Sequence, residues 1–261
     1  TTLTNITDGS VLKSMATISG QCGDNPAVNA AGPSDNWIRI KRLSDNRYWT
    51  ATAADNGDYN STSEVWNKCS GASAWTFQAT STAIWTNDVS YQVTSKGYDF
   101  ARPETEASGD KTGNEETSLN PKTFTYDTTL PVSTITTPSA PNGKTILPIA
   151  TISGTAEDPG SNANIAVKTD GVKINVYNKS DDQTLKANQT WEATDTGLYL
   201  TCTNPVDNWT TWYYTITYPT VTWVNTKTYR IRSKAVDLAA NEESGTVERT
   251  FVIDTSSPTS V

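Results

Sequence analysis

The groups in this 261-residue chain that could do chemistry are 28 carboxylates, three thiols and nine indoles, and no histidine stands among them. Without imidazole the usual general base, the usual neutral metal ligand and triad catalysis all drop out, so the chain is not expected to be an enzyme. Cys22, Cys69 and Cys202 form no CxxC pair, which removes a zinc-thiolate site. In an oxidising compartment Cys22 and Cys69 are a candidate disulfide, with Cys202 as the odd thiol; the alternative is three buried free thiols. Asp99 and Asp237 each close a strand-like stretch and precede a turn, where a carboxylate can cap free N–H groups. Asp127 and Asp254 precede Thr-Thr and Thr-Ser and are placed to cap the turn leaving a last strand. Asp181-Asp182 and Glu115-Glu116 read as solvated acidic pairs in loops. Trp66, Trp75 and Trp85 fall within twenty residues, as do Trp209, Trp212 and Trp223. Aromatic platforms stack on sugars, so surface glycans are a candidate partner. Trp37, Trp49 and Trp191 are the tryptophans expected at the surface.

The elements that must position these groups come in two copies. FTYDTTLP at 124–131 is answered by FVIDTSSP at 251–258. Trp85 and Trp223, Tyr91 and Tyr229, and Asp99 and Asp237 each stand 138 positions apart. Asn114 and Asn241, and Asp127 and Asp254, stand 127 apart, which leaves an 11-residue insertion in the first copy. MATISG at 15–20 answers IATISG at 149–154. Matches in one order along the chain mark two homologous domains. The expected boundaries are domain 1 at 1–127 with an inserted loop about 101–113, a linker at 128–133, domain 2 at 134–254, and a linker or docking tail at 255–261 that includes Thr255, Pro258 and Val261.

Alternating apolarity in ATISG, WIRIK, WTFQA, YQVTSK and KTFTY, and in ATISG, KINVYN, WYYTITY, YRIRSKAV and RTFVI, predicts short strands. No stretch carries a helical period. About seven strands per copy predict an all-β chain of two tandem antiparallel β-sandwiches. Residues 22–36 and 156–171 are expected to be long ordered loops. Trp85 and Trp223 recur beside the tyrosine strand and are expected in the core. The net charge of −8 disfavours a phosphate backbone as partner. No apolar run approaches the ~20 residues of a membrane helix, so membrane insertion is not expected.

The stretch YRIRSKAVDLAANEESGTVERTFVIDTSSP at 229–258, the same frame around the first copy's insertion, and ISGTAED at 152–158 together resemble bacterial immunoglobulin-like, fibronectin type III-like domains. Such domains occur as tandem arrays in large cell-surface, adhesin and appendage proteins. The resemblance implies an extracellular structural segment of a stalk, adhesin, surface layer or filament. Its partners would be copies of itself or adjacent Ig-like domains, met through strand or end-to-end contacts. It implies for Tyr91 and Tyr229 the place of a tyrosine corner. It also implies Ca²⁺, with Asp99, Asp127, Asp158, Asp237 and Asp254 as candidate ligands. The runner-up is a carbohydrate-binding module of a secreted or surface protein.

Overall fold

The structure is a computed structural model that describes residues 1–24, 32–51, 57–80, 84–101, 113–139, 142–160, 162, 166–193, 195, 197–204, 209–217 and 221–259. The chain divides into two units, Thr1–Thr128 and Thr129–Val261. Unit 1 holds β1 (Thr2–Leu3), β2 (Ser10–Leu12), β3 (Thr17–Gln21), β4 (Pro33–Arg42), β5 (Arg47–Thr50), β6 (Asp58–Ser61), β7 (Asn67–Lys68), β8 (Ala74–Gln78), β9 (Val89–Asp99) and β10 (Lys122–Tyr126). Unit 2 holds β11 (Val132–Thr137), β12 (Lys144–Ile146), β13 (Thr151–Glu157), β14 (Lys173–Asn178), β15 (Gln183–Leu185), β16 (Trp191–Ala193), β17 (Leu200–Thr201), β18 (Trp212–Thr215), β19 (Thr228–Lys234) and β20 (Val247–Ile253). The described residues are all-β, and each unit is an Ig-like sandwich.

The strand orders match one for one. Unit 1 pairs β1-β3-β8 in a small sheet and β2-β10-β9-β4-β5-β6 in a large one, with β7 also on β4. Unit 2 pairs β11-β13-β18 and β12-β20-β19-β14-β15-β16, with β17 on β14. Each unit departs from a purely antiparallel sandwich at one place: β2 runs parallel to β10, and β12 parallel to β20. The first part of each unit therefore pairs with its last strand. The chain also crosses between sheets on the opposite side. After β7, Ser70 bridges Thr76 of β8; after β17, Thr203 bridges Tyr213 of β18. These crossings leave β6 and β16 as large-sheet edges of only four and three residues. Edges that short offer little template for another strand.

Strand alternation sends Ile38, Ile40, Tyr91, Val93 and Phe124 of the large sheet and Ile18 and Trp75 of the small sheet into one core. Ile152, Trp212, Ile174, Val176, Tyr229, Ile231 and Phe251 do the same in unit 2. The repeated ISG motif has a packing reason. Gly20 pairs with Trp75, and Gly154 with Trp212, across adjacent strands. A methyl group on Gly20 would lie 2.2 Å from Trp75 Cζ2 and from Thr2 O; one on Gly154 would lie 2.3 Å from Trp212 Cζ2 and 1.8 Å from Thr134 O. Only a residue without Cβ lets the indole lie against the strand.

Three expectations need correction. β4 begins at Pro33, so the Asn- and Asp-bearing end of the 22–36 stretch is strand rather than loop; Pro33 and Asp35 flank a bulge that absorbs the polar start. Trp49 is 2% exposed, because the parity of the four-residue β5 turns Tyr48 outward and Trp49 inward onto Tyr59. All three cysteines are free thiols. Cys69 and Cys202 occupy the same place, each one residue past the short strand on β4 or β14, and both are buried. The position facing Cys22 in the repeat is Ala156, two residues past Gly154 as Cys22 is two past Gly20. The thiol shared by both units is thus a core group, with no partner cysteine built into the frame. Residues 102–112 of the loop expected at about 101–113, like Val261, lie outside the described residues.

Candidate functional site

The candidate residues fall into three clusters, two of them repeated in both copies, built by sequence-local features and completed by contacts distant in sequence. The first surrounds the tyrosines. Tyr91 Oη accepts a hydrogen bond from Thr86 N at 2.7 Å, and Tyr229 Oη accepts one from Val224 N at 2.9 Å. Both rings are fully buried, and burial pushes both phenols up from their ordinary pKa. Trp85 and Trp223 meet these rings edge-on at 4.9 Å and 4.7 Å, and their indole N–H groups donate to Met15 O and Ile149 O. The faces and N–H of these indoles are thus engaged inside each unit.

The second cluster closes the opposite end of each long strand. Asp99 accepts from Ala101 N, Asn114 N and Asn114 Nδ2; Asp237 accepts from Asn241 N and Asn241 Nδ2. Burial opposes the charge of Asp99, but the Asn114 and Ala101 N–H groups outweigh it and hold the carboxyl below its ordinary range. The next two residues carry different work. Glu115 pairs with Lys96 at 2.5 Å, and Glu242 pairs with Lys234. Glu116 accepts from Thr1 Oγ1, the Thr1 amino group and Gly97 N; Glu243 accepts from Ser133 Oγ, Ser133 N and Ala235 N. Thr1 Oγ1 and Ser133 Oγ each lie 2.8 Å from a strand serine, Ser95 or Ser233. Glu116 is therefore a latch between the start of the unit and β9, while Glu115 is exposed, as expected, and pairs with Lys96. The repeated NEE at 114–116 and 241–243 was the available signal.

The candidate metal ligands do not gather into one cage within either unit. β9 pairs with β10 so that Val89 faces Tyr126, which sets Asp127 beside the start of β9 and Asp99 at its far end. Eleven strand residues separate such ends by about 35 Å. Asp254 is likewise at the opposite end of unit 2 from Asp237, because Thr228 faces Val252. Asp254 is exposed and its Oδ1 accepts from Ser256 N, the capping turn expected there. Asp127 is fully buried, and its backbone N–H donates to Leu12 O. Within unit 2, Asp158 and Asp237 do come together, with carboxylate oxygens inside 4.8 Å of one another. Unit 1 has the corresponding pair in Asp24 and Asp99, which line an open cavity of about 490 Å³ with Glu115, Glu116 and Cys22. Asp24 went unnoticed in the sequence, although ISGQCGD and ISGTAED align it with Asp158. Oxygen donors of this kind suit a hard cation, and each Asp237 oxygen keeps a lone pair beyond its one N–H partner, but calcium needs six to eight oxygens. The Cys22 thiol beside these acids is pushed up mainly by burial. Burial also raises the Cys69 thiol, in its case to about 12.

The third cluster differs between units. The outer face of the unit 1 large sheet carries half-buried Trp37, Tyr48, Trp66 and Tyr98. Trp66 lies under Arg39 at 5.1 Å and Lys96 at 4.3 Å; Tyr48 lies under Arg39 and Lys41, and Trp37 under Lys68. These cations cover the ring faces a sugar would stack on. These cations are also ion-paired, Arg39 with Glu64 and Lys68 with Asp35; the same face of unit 2 carries Arg230–Asp195 and Arg232–Glu248, with Arg230 over Tyr177 and no tryptophan under a cation among the described residues. Trp191 is half-buried against Trp223 and Tyr229.

No protein-family model matches the sequence, and no curated protein matches it. Among solved structures, the fibronectin(III)-like modules of Clostridium thermocellum CbhA align over 97% of this chain and 93% of theirs, at 11% identity and a TM-score of 0.38. A 1.5-MDa bacterial ice-binding adhesin, from a study of host cell surface retention, aligns over 97% of this chain and 63% of that one, at 15% identity and a TM-score of 0.34. Salmonella alpha-2-macroglobulin aligns over 97% of this chain and 16% of its own length, at 11% identity and a TM-score of 0.28.

Proposed function

We propose that the chain is an extracellular structural segment, two Ig-like sandwiches in series within a stalk, adhesin, surface layer or filament. The observation that supports this most is the parallel pairing of β2 with β10 and of β12 with β20, three residue pairs each. A pull along the chain enters a unit near its first strands and leaves by its last. Those two ends are hydrogen-bonded side by side, so the load shears the rungs together rather than opening them one at a time. The repeated residues fit the same reading, because they are spent on internal bonds. Immunogold electron microscopy of the native material tests it: label on extended surface structures is expected, and label confined to the cell interior contradicts it.

Calcium, which the family resemblance implies, has its best fit in unit 2 at Asp158 and Asp237. Chelator is then expected to lower the Tm of unit 2 and to leave an Asp158→Asn variant unchanged; equal melting of the parent with calcium and with chelator removes calcium from the account.

A further inference from the structure

We infer that Asn87 and Asn225 are positioning residues that fix the direction in which the chain leaves each unit. The inference rests on the structural reading above and names the residue in each unit that holds the segment leaving it. Neither asparagine was singled out in the sequence, yet they stand 138 positions apart, inside the matched WTND and WVNT stretches.

The exit of unit 1 runs from the end of β10 through Asp127 and Thr128. One side of it is held by β2, since Asp127 N donates to Leu12 O at 2.9 Å. On the other side the backbone ladder with β9 ends where Asp88 N donates to Tyr126 O. The next rung has no strand residue to supply its acceptor. Asn87 supplies it from the side chain: Oδ1 accepts from Thr128 N at 2.5 Å and from Thr128 Oγ1 at 2.8 Å. Unit 2 repeats the arrangement. Asp254 N donates to Ile146 O, Thr226 N donates to Ile253 O, and Asn225 Oδ1 accepts from Thr255 N at 2.8 Å. Asn225 Nδ2 also donates to Ser256 Oγ at 2.9 Å.

The side chain thus extends the sheet by one rung beyond the last strand residue, and the exit segment is held from both flanks at once. Asparagine suits the position because its carbonyl mimics a peptide acceptor at a side chain's reach. Three residues after each held threonine stands a proline, Pro131 or Pro258, whose ring limits φ. Direction set at the threonine is therefore carried to the end of the segment. Both asparagines are outside the cores, Asn87 exposed and Asn225 half-buried, so their loss should loosen the exit without unfolding the unit.

The test is backbone ¹⁵N relaxation of the whole chain, with small-angle scattering of the same samples. Asn87→Ala is expected to drop the order parameters of Thr128–Leu130 from about 0.85 to below about 0.6 and to broaden the distribution of overall dimensions, with the melting of unit 1 little changed. Asn87→Asp, which keeps an accepting oxygen, is expected to restore most of the order. Asn225→Ala should loosen Thr255–Ser257 alone and leave the scattering as in the parent. Unchanged order at Thr128 in Asn87→Ala overturns the inference. So does a fall in the stability of unit 1 with no change at Thr128–Leu130, which would make Asn87 an ordinary stabilising residue. Either result leaves the surface location and load-bearing role of the chain to be judged by their own experiments.

Discussion

Where β4 meets β9, unit 1 buries Asn36 beside Gly97 and Cys22, whereas unit 2 has Val172, Ala235 and Ala156 at the corresponding places. The Asn36 amide donates to Gly71 O and Ala72 O and so ties down the short loop before β8. Unit 2 has a longer segment at 204–211 and fills the same end with buried Trp209, whose carbonyl accepts from Ala156 N. The missing methyl of Gly97 is replaced in space by sulfur: a Cβ there would lie 2.6 Å from Cys22 Sγ. One unit spends an amide and a thiol where the other spends three apolar side chains, and the frame around them is unchanged. The frame is therefore set by what the units share: the glycine–tryptophan crossings, the tyrosine and glutamate latches, and the parallel first-to-last pairing.

Substitutions can break that comparison at graded cost. The shared crossings come first. Gly20→Ala and Gly154→Ala each force a methyl into an indole and a backbone oxygen, and each should cost its own unit about 3 kcal/mol or more. Calorimetry should show one transition falling while the other stays; a small loss in either unit would mean the crossing is not shared in energy. The unlike end comes second. Gly97→Ala should cost about 1–3 kcal/mol by colliding with Cys22, and adding Cys22→Ala, which reproduces the unit 2 pair, should recover most of it. Additive losses in that cycle would show that the two positions do not compensate each other. Third, Tyr91→Phe and Tyr229→Phe each strand a backbone N–H and should cost about 1–3 kcal/mol, equally in the two units.

The smallest effect is one of pH. The folded Asp99 carboxyl lies below its ordinary value, so its clasp on Asn114 contributes fully above the unfolded value near 3.8 and is lost as pH falls through the lower folded value. A carboxyl titration by NMR should place its midpoint below that of an unstructured aspartate. A midpoint at or above it would remove the clasp from the account.

How far these features could be read from residues alone follows from where their partners lie. Alternation exposed most strands and both repeats, because the signal is local and written twice. Trp49 was expected at the surface and is buried, since the four residues of β5 do not say which face is buried. The glutamate latches were hidden because their partners are remote: Glu116 and Thr1 are 115 positions apart. Asn87 and Asn225 were visible as repeated letters, but an asparagine in a turn has many local uses, and only the ended ladder beside it shows which one applies. The cation-covered tryptophans of unit 1 depend on side chains from β4, β7, β9 and the segment before β7, which no single stretch reveals.

Single-molecule pulling of the whole chain by its ends tests the central claim most directly. Two unfolding events are expected, similar in force and in released length, since the units hold 128 and 133 residues and share the sheared pair. Ile146→Pro, which places a proline in β12, should weaken one event and spare the other. Unfolding of the parent at negligible force, or a force indifferent to the β12–β20 pair, would contradict a load-bearing role.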